Sequence, residues 1–443
     1  MRRSSTTFII MACLVGAGCS DDRGRTDVVD GADGEGGGHD GDGEGTPILE
    51  RVGAITRTCG EALRPTQPAD RDWFVQAGVA VGEEVWVLRS GSDKLALTQV
   101  GTDGTWGTDH PLTVGRWVTS GGAAVARGSE VTLVWVEEAT EAGGQALRHA
   151  VVDTASGVVV APHTIEGGTS TYVSAPALVA TDEALFMAWG AGQESGRATL
   201  KLARLTDTGA LEGARPLHAV EQTWNGLQPS MVKAGGALTI VWSAPNAESR
   251  YELWMMKVDD AGDELVEPRR ISGAAGAGQA FGAAWEAGQV PMLAVGDDVW
   301  LVYAASSFND DFADPEGGVD LRLAIIDPAG EVTTHEVNRH ANGVSHTQAS
   351  LSRMGDHVAL TWVQGATIYV CGGCFVDYDI RHVVVDPGTV TPVSAIATHS
   401  HDDHGYRRPL PFVLGDRVVT LAAQDFHALS YPTVAVMTCG ATP

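Results

Sequence analysis

The sequence predicts an all-β protein, a β-propeller of seven four-stranded antiparallel blades whose ring is closed by the N- and C-terminal segments. Three observations predict it. A polar turn followed by a short apolar strand recurs as "EEVWVLR", "SEVTLVWV", "EALFMAWG", "GALTIVWS", "DDVWLVYA", "DHVALTWV" and "DRVVTLAA". Aligned, these copies place Trp135, Trp189, Trp242, Tyr303 and Trp362 at one position, roughly 53 to 61 residues apart, a period typical of propeller blades. A second block follows in most copies, as in "LKLARLTDTGALEGARPLHAV" and "LWMMKVDDAGDELVEPRRI", where strand, Asp-x-x-Gly or Asp-Pro-Gly turn and strand succeed one another. With the strand preceding each aromatic copy, as in "SAPALVA" and "QPSMVKA", each unit holds four strands. No stretch keeps a 3.6-residue period over three turns, so long helices are not expected.

Residues 1–18 read as an export signal: Arg2 and Arg3, a short apolar run, then a small-residue exit. The ending "LVGAGC" resembles a bacterial lipobox, with Gly16 where Leu is usual. That resemblance implies lipidation of Cys19, a lipid bilayer as partner and, from Ser20, sorting to the outer membrane of the cell envelope. Residues 19–46 continue with "DDRGRTDVVDGADGEGGGHDGDGEGT", which has too few apolar side chains to offset its ordering entropy and reads as a tether. Residues 47–443 then form one propeller domain.

The last blade runs out of chain after "PTVAVMTCG", one strand short. "CGEALRPTQ" near the N-terminus is similar to the outer strands "EGARPLHA" and "VEPRRIS" and can supply the missing one. Cys59 then starts the outer strand where Cys439 ends its neighbour, and a disulfide between them would contribute on the order of 4 to 5 kcal/mol. Cys371 and Cys374, in "IYVCGGCFVDY", are expected to pair as a second disulfide within one loop.

The formal net charge of -27 excludes nucleic acid as a partner, since phosphates need cations. No GxSxG or Walker loop appears, which removes two common catalytic signatures. The segments joining each outer strand to the next inner strand should gather at one mouth of the ring. They carry Trp117, Tyr172, Trp224, Phe281, Trp285 and Tyr406, with His340 and His346 beside them. Aromatic faces beside amides and imidazoles suit glycans or other ring-containing ligands, and equally suit a packed plug.

One such segment reads "HSHDDH", and its spacing resembles the HxHxDH signature of the metallo-β-lactamase family, with His399, His401, Asp403 and His404 in the matching places. It departs from that family in lying near the chain end, where the last blade is expected. Convergence of these groups on zinc and a solvated polar loop both remain open. Asn309, Asp310, Asp311, Asp314 and Glu316 in "SSFNDDFADPEGGVD" have the oxygen density of a calcium loop or of a solvated one.

Over its blades the chain resembles sialidase-like, BNR-type propellers of exported lipoproteins, a resemblance carried by "ALFMAW" and "LKLARLTDTGALEGARPL" with their copies. "TDGTWGT" has Asp103, Gly104 and Trp106 but is one residue short of the family's Asp-box, and the family's catalytic residues match no motif here. The expectation is therefore a tethered module that binds a glycan or protein, with no catalytic residue named. The alternative is a glycan-active hydrolase or lyase using the same mouth, with metal assistance at "HSHDDH".

Overall fold

The computed structural model describes residues 46–60, 63–66, 74–91, 94–112, 118–139, 144–168, 171–193, 197–221, 227–245, 251–271, 280–281, 289–306, 319–338, 344–366, 378–399, 405–426 and 429–441. They form seven antiparallel sheets. Blade one comprises Phe74–Val81, Glu84–Ser90, Leu95–Val100 and Trp106–Leu112, from inner to outer strand. Blades two to six repeat this order, with second strands Glu130–Glu138, Leu185–Gln193, Ala237–Pro245, Asp298–Ser306 and His357–Ala366. Blade seven takes Gly405–Leu414, Arg417–Phe426 and Leu429–Ala441 from the C-terminus, and its outer strand from Arg57–Cys59 and Leu63–Thr66. Inner strands of successive blades touch all the way round, including blade seven on blade one.

The core is divided into wedges, because each sheet has two faces and meets a different neighbour on each. Every one of the seven blade interfaces has its own apolar cluster. The repeating aromatic sets the spacing: Trp135, Trp189, Trp242, Tyr303 and Trp362 are all buried, each against the preceding blade. Trp242 of blade four, for example, shares a cluster with Ala188, Leu200 and Leu202 of blade three. Its indole N–H has no hydrogen-bond partner, so the ring acts through packing, including a contact with the His218 ring at 5.5 Å. Trp242→Ala is expected to cost about 3 to 5 kcal/mol in urea unfolding, whereas Trp242→Tyr, the residue type blade five uses, should cost less than half as much.

Blades one and seven depart from the repeat. Blade one carries Arg89 at the aromatic position, buried and forked onto Asp109 at 2.8 and 2.9 Å, with its guanidinium 5.6 Å from the Trp106 ring centre. Blade seven carries the buried Ala422 there.

One end of the ring is built from tight turns. In blades two, four and five the turn between third and outer strands begins with an aspartate whose carboxylate accepts from the backbone ahead: Asp153 from Ser156 N at 2.8 Å, Asp259 from Asp263 N at 2.7 Å and Asp327 from Glu331 N at 2.7 Å; blade three uses Thr206, whose hydroxyl accepts from Ala210 N at 2.9 Å. Asp103 in blade one does the same with Thr105 N at 3.0 Å, so "TDGTWGT" works as this turn. Each turn also receives a polar side chain from its neighbour. His110 meets Thr154 O at 3.1 Å, Arg215 donates to Asp263 at 3.1 Å, Arg269 to Glu331 at 3.2 Å and Arg417 to Thr102 O at 3.2 Å. The three arginine contacts are exposed, each contributing at most about 1 kcal/mol, and they fix the blades' angular register more than they stabilise.

An N-terminal strap precedes the closing strand and was not expected from the repeat. Ile48 is fully buried in the wedge between blades five and six, and Leu49 N donates to Val337 O at 3.0 Å. Arg51 donates to Val390 O at 2.8 Å, and Thr56 N and Arg57 N both reach Val393 O at 2.9 Å. The chain thus crosses the outside of blade six before joining blade seven. Blade six accommodates it by splitting its outer strand into Thr391–Pro392 and Ala397–His399.

Candidate functional site

Cys59 and Cys439 lie directly opposite each other on antiparallel strands and form the expected disulfide. Gly60 N donates to Thr438 O at 2.8 Å, which makes the cysteines a non-hydrogen-bonded pair, the kind whose side chains approach most closely. The bond occupies the place where other blades have their Asp-led turn. Cys371 and Cys374 lie outside the described residues, as do Cys19, Trp117, Trp224, Trp285, His401, Asp403, His404 and the 309–316 acidic run.

The opposite end of the ring is chemically different. There the chain passes from second to third strand and from outer strand to the next blade, and the connecting segments include 113–117, 222–226, 272–288 and 400–404. Tyr172 is placed at this end, on the first inner segment of blade three opposite Gly192, half-buried, with its hydroxyl pushed above the ordinary tyrosine range by burial. Tyr406 occupies the corresponding start of blade seven's inner strand, opposite Gln424. His346 is on blade six's inner strand, and Phe281 on a short inner segment of blade five. Each of these positions lies at or near the start of an inner strand.

His399 differs from the expectation of a loop. It ends the outer strand of blade six, opposite Ile380, and is buried. A strand backbone fixes its position, while the rest of "HSHDDH" lies beyond the described residues.

Gln289 is a residue the sequence reading did not single out. Its amide donates to Pro176 O at 2.9 Å and Pro229 O at 3.3 Å, and the next residue, Val290, donates its N–H to Ser230 Oγ at 2.7 Å. One side chain from blade five therefore ties the inner strands of blades three and four. A proline precedes the inner strand in blades three, four and five, in "SAP", "LQP" and "QVP", and the first two of these prolines supply the carbonyls that Gln289 reaches. Nearby acids are already engaged with bases: Glu137 with Arg148 at 3.0 Å, Glu252 with Arg270 at 3.0 Å and Asp379 with Arg381 at 3.1 Å.

Among the described residues one group brings three metal-ligating atoms together, and it consists of Cys59, His382 and Cys439, with those atoms within 4.8 Å of one another. It belongs to the wedge between blades six and seven, away from the mouth. The two cysteines are bonded to each other, so the group holds no metal in this state. His382 is fully buried, its Nδ1 lies 2.8 Å from Thr361 Oγ1, and burial pushes its pKa down to about 4.

No protein-family model matches the chain, and no curated protein does. Solved structures similar to it include a polysaccharide lyase, at 10% identity over 82% of this chain and 89% of that one, TM-score 0.48. An apocarotenoid oxygenase of Synechocystis is similar at 12% identity over 87% and 96%, TM-score 0.43. An α-L-arabinofuranosidase from Fusarium graminearum is similar at 8% identity over 71% and 91%, TM-score 0.40. Several other neighbours are glycoside hydrolases. At these levels the fold of this chain rests on its own strand pairing, and no activity follows from the likenesses.

Proposed function

We propose that the chain is an exported, lipid-anchored propeller that binds a glycan or protein at the mouth carrying Tyr172 and Tyr406. The observation that carries this reading is the contrast between the two ends of the ring. The turn end is occupied by short Asp-led turns whose polar groups bind each other and the next blade. The mouth joins its strands through longer segments whose sequence holds Trp117, Trp224 and Trp285. Structural requirements account for the first composition, whereas a stack of aromatic faces around a ring opening is what sugar recognition uses. Lipidation at Cys19 would tether the propeller to an envelope membrane.

Binding is testable through tryptophan fluorescence against a panel of oligosaccharides spanning neutral and acidic types. A saturable change for at least one class, weakened about tenfold or more in Trp224→Ala and Trp285→Ala, is expected. Silence across the panel, together with no protein captured by the anchored chain, would contradict the proposal. A glycan-active enzyme using the same face is the second reading, supported by His399 fixed on a strand next to the imidazoles and acids of residues 401–404. Release of new reducing or unsaturated sugar ends during the same assay would select it over binding alone. Metal retained by the protein and lost on substituting His399 and His401 together would mark that reading as metal-assisted.

A further inference from the structure

We propose that reduction of the Cys59–Cys439 disulfide creates a two-thiolate, one-imidazole site for a thiophilic dication such as zinc, with His382 as the third ligand. The inference is independent of the mouth and of what it binds.

The two sulfurs and one His382 ring nitrogen already lie within 4.8 Å of one another. Ligands on tetrahedral zinc sit about 3.5 to 3.8 Å apart, given Zn–S near 2.3 Å and Zn–N near 2.0 Å. Side-chain rotation after the S–S bond opens can close the remaining gap without moving the strands. Cys439 and His382 are buried, and Cys59 is half-buried, which leaves an approach for the ion from the Cys59 side.

His382 has a second feature that points to a ligand. Its Nδ1 is held by Thr361, whereas Nε2 is buried with no partner. The equivalent position in blades one, three and five is Leu97, Leu202 and Leu323, each opposite a residue of the second strand as His382 is opposite Thr361. Blade two also has a buried histidine there, His149, whose ring meets His163 at 5.1 Å; His382 differs in having the Cys59 and Cys439 sulfurs beside its ring. With Nδ1–H donating to Thr361, the Nε2 lone pair is free to ligate, and the hydroxyl fixes ring and tautomer.

The chemistry balances with a dithiol reductant. It supplies two electrons and two protons and leaves as its own disulfide, giving thiols at Cys59 and Cys439. The dication then displaces both thiol protons, and neutral His382 joins unchanged. Two thiolates and a dication sum to zero charge, which suits a buried wedge.

Cobalt(II) is the probe, on full-length chain with Cys13, Cys19, Cys371 and Cys374 replaced by serine so that only this pair can respond. Reduced protein, freed of reductant without air, should take up one cobalt with thiolate-to-metal absorption and tetrahedral ligand-field bands. Oxidised protein should show no thiolate-to-metal absorption. His382→Leu, matching three other blades and so able to fold, should bind at least about tenfold more weakly and lose the tetrahedral spectrum. No thiolate-to-metal absorption on reduction, equal absorption in the oxidised protein, or equal affinity at this site in His382→Leu would each overturn the proposal. If reduction unfolds the ring, cobalt must restore the tryptophan fluorescence of the oxidised form in the parent and not in His382→Leu, and failure to do so overturns it equally.

Discussion

Stability should fall by several kcal/mol as the pH drops from 6.5 to about 4, because two fully buried histidines cannot be protonated in place. Burial pushes His149 and His382 from the ordinary 6.5 down to about 4, and the neighbouring His163 adds to the effect at His149 while Asp207 opposes it. Below pH 6.5 the unfolded chain takes up protons that the folded chain refuses. The contribution of each is therefore complete above the unfolded value and is lost progressively until the folded value is reached. The gap between 6.5 and about 4 corresponds to roughly 3 kcal/mol per histidine. Carboxylates act in a lower window: hydrogen bonds from Ser129 and Ser156 hold Asp153 near 2, so its contribution disappears only as pH falls below 3.8. Urea unfolding across this range should show the loss, and the double variant His149→Leu, His382→Leu should lack most of it. His149 has both ring nitrogens unpartnered, so the double variant should also be about 1 to 3 kcal/mol more stable at neutral pH. An unchanged pH slope would mean that the imidazoles are not the titrating groups.

Opening the Cys59–Cys439 bond is the second large effect. The cysteines are 380 residues apart, and the chain-entropy expression gives about 6 kcal/mol for a loop of that size, above the roughly 5 kcal/mol that disulfides seldom exceed. We expect a loss of about 5 kcal/mol in Cys59→Ser with Cys439→Ser. The affected transition should be ring opening between blades six and seven, since only that wedge depends on the N-terminal strand. Hydrogen exchange in Leu429–Ala441 should accelerate ahead of blades two to four. Uniform acceleration around the ring would instead show that the closing strand has no special place.

Much of this was legible in the sequence because a propeller repeats its constraints. Each second strand needs an aromatic wedge, so Trp135, Trp189, Trp242, Tyr303 and Trp362 announce the period. The missing last strand and the odd pair of cysteines announce the closure. The strap was not legible: residues 46–56 reach single carbonyls, Val337 O of blade five and then Val390 O and Val393 O of blade six, so no alternation of apolar residues marks them. The role of Arg89 was not legible, because it depends on Asp109 and Trp106, which are brought to it by the outer strand. The buried histidines had a signal that aligning the second blocks reveals, "LRH" and "IRH" beside "LKL" and "LRL". The mouth was legible in composition alone. Its connecting segments differ from blade to blade, so no repeat fixes their side chains, and His399 was read as a loop residue although the strand reaches it.

The location of the binding face is the central claim, and hydrogen exchange with and without a saturating oligosaccharide from the panel tests it most directly. Protection confined to peptides spanning 113–117, 222–226, 272–288 and 400–404, with the Asp153, Asp259 and Asp327 turns unchanged, is the predicted result. Protection at those turns, or on the outer strands, would place the ligand on the wrong end of the ring and contradict the account.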